Sequence, residues 1–188
     1  STISEWFINY EGGFTKRGIV GQIAIELSRY FQTSLRWTIF ILQTLTVTIY
    51  FFLLFNFLKK LKFERVIILS IFTPIFILYP VAEIEVLGRK ELIIFTIFLS
   101  YLFFDIKNFQ VQLTYKLLLF PISILTWEPI IFFFSFIFLI DLFVFQIKSF
   151  DKKFFCILFS YFASIFLVML IYFNPFPVEN YNAMKNFL

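Results

Sequence analysis

Six apolar runs, each bounded by a short charged loop, constrain this chain more than any other feature. They cover residues 35–58, 66–82, 92–106, 111–126, 130–147 and 154–173. A helix needs about 20 apolar residues to cross a bilayer core, and several of these runs approach or exceed that length. Apolar residues make up 61% of the chain and charged residues 15%, against about half and about a quarter in soluble domains. Backbone N–H and C=O groups in lipid must be paired internally, which leaves helices or a closed barrel. Barrel strands alternate apolar and polar side chains, and Ile131-Phe132-Phe133-Phe134 does not. The expected fold is all-α: a polytopic transmembrane helical bundle of about six spans, a single membrane domain over residues 1–188. Pro74 and Pro80 predict kinks in the second run. Pro129, after Glu128, predicts a break between the fourth and fifth.

The first 34 residues differ in character. Glu5, Trp6, Tyr10 and Glu11 precede Gly12-Gly13-Phe14-Thr15-Lys16-Arg17-Gly18, which holds three of the five glycines. Thr15 is the expected cap of a helix starting at Lys16 or Arg17. In that helix Ile19, Ile23, Leu27 and Phe31 share one face, and Gln22, Glu26 and Arg29 another. The pattern fits an N-terminal interfacial helix lying in the membrane plane, or equally a short amphipathic helix packed on the bundle. The chain opens on Ser1 and ends soon after its last apolar run, which reads as a fragment of a longer protein.

Cys156 is the one cysteine and there is no histidine. An internal disulfide, a thiolate zinc site, bis-histidine haem and histidine general acid–base chemistry are thereby excluded. No metal and no cofactor is expected. Any catalytic acid or base has to be a carboxylate, a lysine or a tyrosine.

Lysine and arginine accumulate in cytoplasmic loops. Loops 59–65 and 148–153 carry net charges of +3 and +2, and six alternating spans put both on one side with 105–112. Residues 1–34, 83–91, 127–129 and 174–188 then fall outside. Three polar stretches share that external side: Phe14-Thr15-Lys16-Arg17-Gly18, Leu87-Gly88-Arg89-Lys90-Glu91 and Trp127-Glu128-Pro129. The first two each put adjacent cations at an expected helix start. There, unpaired N–H groups and the helix dipole favour anions, and arginine offers phosphate a planar fork. Two such starts on one face can clamp a diphosphate; the plainer reading of each pair is a cation reaching for lipid head groups. Glu128 either pairs with one of these cations or orients a polar substrate. Glu5, Glu11, Glu83 and Glu85 are further carboxylates on that side, any of which can act as a base on a sugar hydroxyl. Within the apolar runs, Lys116 is expected to reach back to the cytoplasmic surface, and Asp141 to face the bundle interior or pair with Lys116. Both read as structural.

Gly13-Phe14-Thr15-Lys16-Arg17-Gly18-Ile19-Val20-Gly21 resembles the G-F-x-[RK]-R-G-hydrophobic-hydrophobic-G stretch of a group of bacterial inner-membrane proteins. Leu87-Gly88-Arg89-Lys90-Glu91 is similar to that group's G-R-K-[DE] element, and Trp127-Glu128 stands where it has H-E. The group in turn resembles EpsG-like and Wzy-like polysaccharide polymerases and lipid-carrier-dependent glycosyltransferases of the GT-C type. The resemblance runs from about residue 10 to residue 135. It implies a bacterial inner (plasma) membrane protein that handles a polyprenyl-diphosphate-linked sugar at its external face. Because Trp127 replaces the histidine, no proton-shuttling histidine is implied.

The leading expectation is therefore a multispan protein of cell-envelope glycan assembly. Lys16, Arg17, Arg89 and Lys90 would bind the diphosphate and stabilise it as a leaving group. Glu11 and Glu128 are the first candidates to orient or deprotonate the acceptor hydroxyl. The expected partners are membrane lipids and a polyprenyl-diphosphate-linked sugar, with no nucleic acid. The competing expectations are a transporter or flippase for an anionic or lipid-linked substrate, and a non-catalytic subunit of a membrane complex.

Overall fold

A computed structural model describes residues 5–11, 14, 17–60, 88–104, 108–146 and 151–173. The second apolar run, at 66–82, and the cation Lys16 lie outside the described residues. Among those residues there is no strand. In chain order the helices are α1 (Ile19–Phe31), α2 (Leu35–Lys60), α3 (Glu91–Phe103), α4 (Phe109–Thr126), a 3-10 turn (Glu128–Ile130), α5 (Ile131–Val144) and α6 (Lys152–Phe173).

Three of them, α2, α4 and α6, are long and apolar enough to cross a membrane. Helices α3 and α5 are as apolar but shorter, at 13 and 14 residues. At 1.5 Å per residue they rise about 20 Å, short of the roughly 30 Å hydrocarbon core. The break expected at Pro129 is present: Trp127 is extended, and the 3-10 turn carries Pro129 at its start. Pro121 sits inside α4, where it cannot donate to the Leu117 carbonyl.

Helix α2 packs along α3, α4 against α6, and α1 across α2. The largest core cluster lies between α3, α4, α5 and α6. Phe120 of α4 stacks on Phe134 of α5 with ring centroids 3.9 Å apart, and Tyr161 of α6 closes on both rings. Phenylalanine suits such a core because each ring buries a large area without a polar atom to satisfy.

The helix ends fall into two groups. Lys60 Nζ donates to the Phe103 carbonyl at 3.3 Å, joining the end of α2 to the end of α3. Phe109 meets Phe145, and the Lys153 ammonium lies over the Phe109 ring. These residues form one end of the bundle. The starts of α3 and α5 and the end of α4 form the other. Helices α3, α4 and α5 thus run in alternating directions.

Helix α1 keeps the limits of the amphipathic pattern but not its expected start or buried face. It begins at Ile19 with Gly18 as its cap residue and no side-chain cap. Arg17, expected inside the helix, has a left-handed backbone with φ 62°. The buried residues are Val20, Gly21, Ala24 and Ile25, whereas Ile23 and Phe31 of the expected apolar face are exposed. The cause is the segment before the helix. Trp6 is buried between α1 and α2 with Val20, Ala24 and Ile39. A Cβ built on Gly21 would stand 2.0 Å from the Ile8 carbonyl oxygen. Only small side chains let the Trp6–Ile8 backbone lie this close.

Lys116 departs from its expected reach to the surface and follows instead the pairing held open for Asp141. Rather than reaching for the surface, it is buried and paired with Asp141, which faces the interior. An ammonium seven residues into α4 finds a carboxylate nearer than water.

Candidate functional site

The polar cluster at the end that carries the start of α3 is built from three distant segments. Arg17 Nε donates to Glu128 Oε2 at 2.9 Å. Lys90 Nζ donates to the Arg17 carbonyl at 2.8 Å. Both halves of Arg17 are therefore held, its side chain by the turn between α4 and α5 and its backbone by the residue before α3. These two bonds fix the left-handed conformation at Arg17, which non-glycine residues seldom adopt.

Gly88 is the hub beside it. Its carbonyl accepts from Trp6 Nε1 at 2.7 Å and from Gln43 Nε2 at 3.0 Å. A buried indole needs a partner for its N–H, and here it ties the N-terminal segment to the approach to α3. Gln43 supplies the same tie from α2. Sequence reasoning missed both: Trp6 reads as an interface anchor, and Gln43 as one polar residue in an apolar run.

The cations differ in availability. Arg17 is part exposed, its side chain at 41%, and its Nη atoms have no partner among the described residues. Lys90 is 2% exposed. Burial lowers its pKa to about 8, helped by the Arg17 charge and opposed by Glu5, Glu91 and Glu128. Arg89 has its Nε buried without a partner among the described residues, as does Glu91 at Oε2. Glu11 is placed elsewhere: it pairs with Arg29 at 2.9 Å, and its backbone N–H donates to Asn9 Oδ1. Nearby, Tyr10 stacks on Phe14, and burial pushes its phenol up.

Of the six residues singled out from sequence, the structure brings Arg17, Lys90 and Glu128 into direct contact and sets Arg89 next to Lys90 in the chain. Glu11 belongs to a separate ion pair. No group of carboxylate or cysteine side chains able to hold a metal ion occurs among the described residues. The arrangement offers a forked cation whose Nη atoms have no partner among the described residues, a second charge behind it that is retained below about pH 8, and one carboxylate as counter-ion. Chemically, such a grouping has the charge and donors to meet an oxyanion, with Glu128 beside it as a hydrogen-bond acceptor.

No protein-family model, curated protein or solved structure matches the chain.

Proposed function

We propose that this chain is a multispan membrane protein of cell-envelope glycan assembly, and that it handles the diphosphate of a polyprenyl-linked sugar at the external face of a bacterial inner membrane. The observation that carries this reading is the convergence of Arg17, Lys90 and Glu128 at one end of an apolar helix bundle. A lipid diphosphate has its charge at the end of a hydrocarbon chain, so its receptor needs cations at the end of apolar helices. In this reading Arg17 presents its Nη edge to a phosphate, and Arg89 and Lys16 add charge. Lys90 fixes the Arg17 backbone and adds its own charge from behind. Glu128 aligns the guanidinium and is the carboxylate that orients an acceptor hydroxyl. Stabilising the departing diphosphate in this way is worth a few kcal/mol, about 3 for a single well-placed donor.

The test is binding of a polyprenyl diphosphate to the full chain in lipid nanodiscs, with the matching polyprenol as control. The diphosphate is expected to bind at least about tenfold tighter than the alcohol, a difference of about 1.4 kcal/mol. Arg17→Gln is expected to abolish that preference while the helix content stays. The last phosphate ionisation has its midpoint at about pH 6 and is essentially complete by about pH 8, so weakening above about pH 8 reports Lys90 losing its proton. Lys90→Met is expected to remove that pH dependence. Equal binding of alcohol and diphosphate would end the reading and leave the non-catalytic subunit in its place.

A further inference from the structure

The corner between α1 and α2 is held by its own hydrogen bonds, and the diphosphate site does not use it. Gln32 closes α1 with a left-handed backbone, φ 52°, and its N–H donates to the Arg29 carbonyl at 3.3 Å. Thr33 N–H donates to the Ser28 carbonyl at 3.1 Å, and Ser28 Oγ donates back to the Thr33 carbonyl at 2.6 Å. The Thr33 and Thr38 hydroxyls share a hydrogen bond of 2.9 Å across the corner. Between the end of α1 and the first turns of α2 lies a groove of about 430 Å³, lined by Leu27, Phe31, Thr33, Thr38, Ile41 and Leu42. Ligand pockets occupy about 300–1,000 Å³. Arg36, Trp37 and Phe40 line a second recess of about 290 Å³ on the same stretch of α2.

Arg36 is the cation that this corner leaves over. Its neighbour Arg29 pairs with Glu11 and Glu26. Arg36 is exposed and has no hydrogen bond or ion pair among the described residues. Residues 27–63 contain no aspartate or glutamate, so the sequence around it supplies no counter-ion. Arg36 also stands in the first turn of α2, where the helix dipole disfavours a cation. The missing complement is an anion. The surface beside Arg36 is apolar: Trp37, Phe40 and Ile41 are all more than half exposed, on a helix long and apolar enough to cross a membrane. Trp37 stands edge-on to Phe40 at 5.9 Å, and indole rings favour the head-group level. Ile41 and Leu42 lie about 8–9 Å further along α2 than Arg36, at 1.5 Å per residue. The head-group layer is about 5–8 Å deep on each side of the hydrocarbon core. Arg36 and the groove are thus spaced as the phosphate and the acyl chain of one lipid.

We infer that the α1–α2 corner binds an anionic glycerophospholipid, with its phosphate on the Arg36 guanidinium and one acyl chain laid in the groove between Leu27 and Phe31 of α1 and Ile41 and Leu42 of α2. The head group carries net negative charge because Arg36 is uncompensated; a zwitterionic lipid brings its own cation to a site that already has one too many. The hydrogen bonds of the corner hold the groove open before the lipid arrives, which lowers the ordering cost of binding. The site shares no residue with the Arg17 cluster, and the inference is independent of the diphosphate reading.

Trp37 reports the site. The full chain is reconstituted in phosphatidylcholine bilayers, and lipids with brominated acyl chains, which quench tryptophan on contact, are added in increasing mole fraction. The chain has three tryptophans, and the difference between the wild type and Trp37→Phe isolates Trp37 from Trp6 and Trp127. Brominated phosphatidylglycerol is expected to quench Trp37 at about fivefold lower mole fraction than brominated phosphatidylcholine, the size of one arginine's attraction to an anionic lipid surface. Arg36→Gln is expected to remove that preference, and Arg17→Gln to leave it intact, which separates this site from the diphosphate cluster. Thr33→Phe fills the groove and is expected to reduce the preference; Thr38 keeps its bond to the Ser34 carbonyl in that variant. Equal quenching by the two lipids shows an ordinary lipid boundary and overturns the inference. So does a preference that survives Arg36→Gln or is untouched by Thr33→Phe. Absence of quenching by either lipid shows that another polypeptide covers Trp37, and overturns it as well.

Discussion

Lys116→Met is expected to destabilise the bundle by about 3–5 kcal/mol, and adding Asp141→Leu to recover most of that loss. The asymmetry follows from burial. Both side chains are inaccessible to water, so removing the lysine leaves a carboxylate in an apolar interior with only the Tyr101 hydroxyl and the Gln112 amide for partners. Leaving one charge of a buried pair uncompensated costs about that amount. Removing both charges and keeping the volume deletes the desolvation cost along with the attraction, and apolar replacements of buried pairs are often neutral or better. Tyr101 and Gln112 would still lose an acceptor, about 1–3 kcal/mol for each unsatisfied group, so recovery is expected to be incomplete. Reversible unfolding in mixed micelles measures the three variants. A double variant whose loss equals the sum of the singles would mean that Lys116 and Asp141 do not touch.

The second large effect is expected at a residue with no side chain. Gly21→Ala places a methyl group 2.0 Å from the Ile8 carbonyl oxygen, 2.7 Å from its carbon and 2.9 Å from the Trp6 carbonyl oxygen. All three are backbone atoms and cannot rotate away, so the Trp6–Ile8 segment has to lift from α1. Overpacking of this kind costs about 1–3 kcal/mol, and lifting also withdraws the buried Trp6 ring and its bond to Gly88. The expected result is a lower melting temperature together with weaker diphosphate binding. A variant with unchanged stability would show that Ile8 does not lie on α1.

Much of the helical outline was legible in the sequence. Helix α2 follows its apolar run closely, and the break before α5 follows from Glu128-Pro129. The limits of α3 and α5 were not legible, because apolar residues continue beyond both helix ends at Phe104 and Phe145. An apolar run marks what avoids water, not where a helix stops. In α1 the amphipathic pattern marked Ile19, Ile23, Leu27 and Phe31, yet packing chose Val20, Gly21 and Ala24. Hydrophobicity selects large apolar residues, whereas a close backbone approach selects small ones.

The site shows the same division. Residue types and loop positions pointed to Arg17, Arg89, Lys90 and Glu128. What they could not give was the pairing, which joins Arg17 to residues 73 and 111 positions away. Nor could they give the inward turn of Lys90, since both readings of the Arg89-Lys90 pair, phosphate clamp or head-group anchor, point the lysine outward. Lys116 failed in the opposite sense: its position allowed an escape to the surface, and only the facing Asp141 removes the reason to escape.

The central claim is that the Arg17 cluster and the Lys60 end of the bundle face opposite sides of a membrane, with Arg17 outside. Single cysteines at Phe14 and Lys60, both exposed, in a Cys156→Ser background, test it on intact cells with a membrane-impermeant thiol reagent. The account predicts labelling at Phe14 and none at Lys60 until the cells are opened. Labelling of both sites alike, or of Lys60 alone, would contradict it.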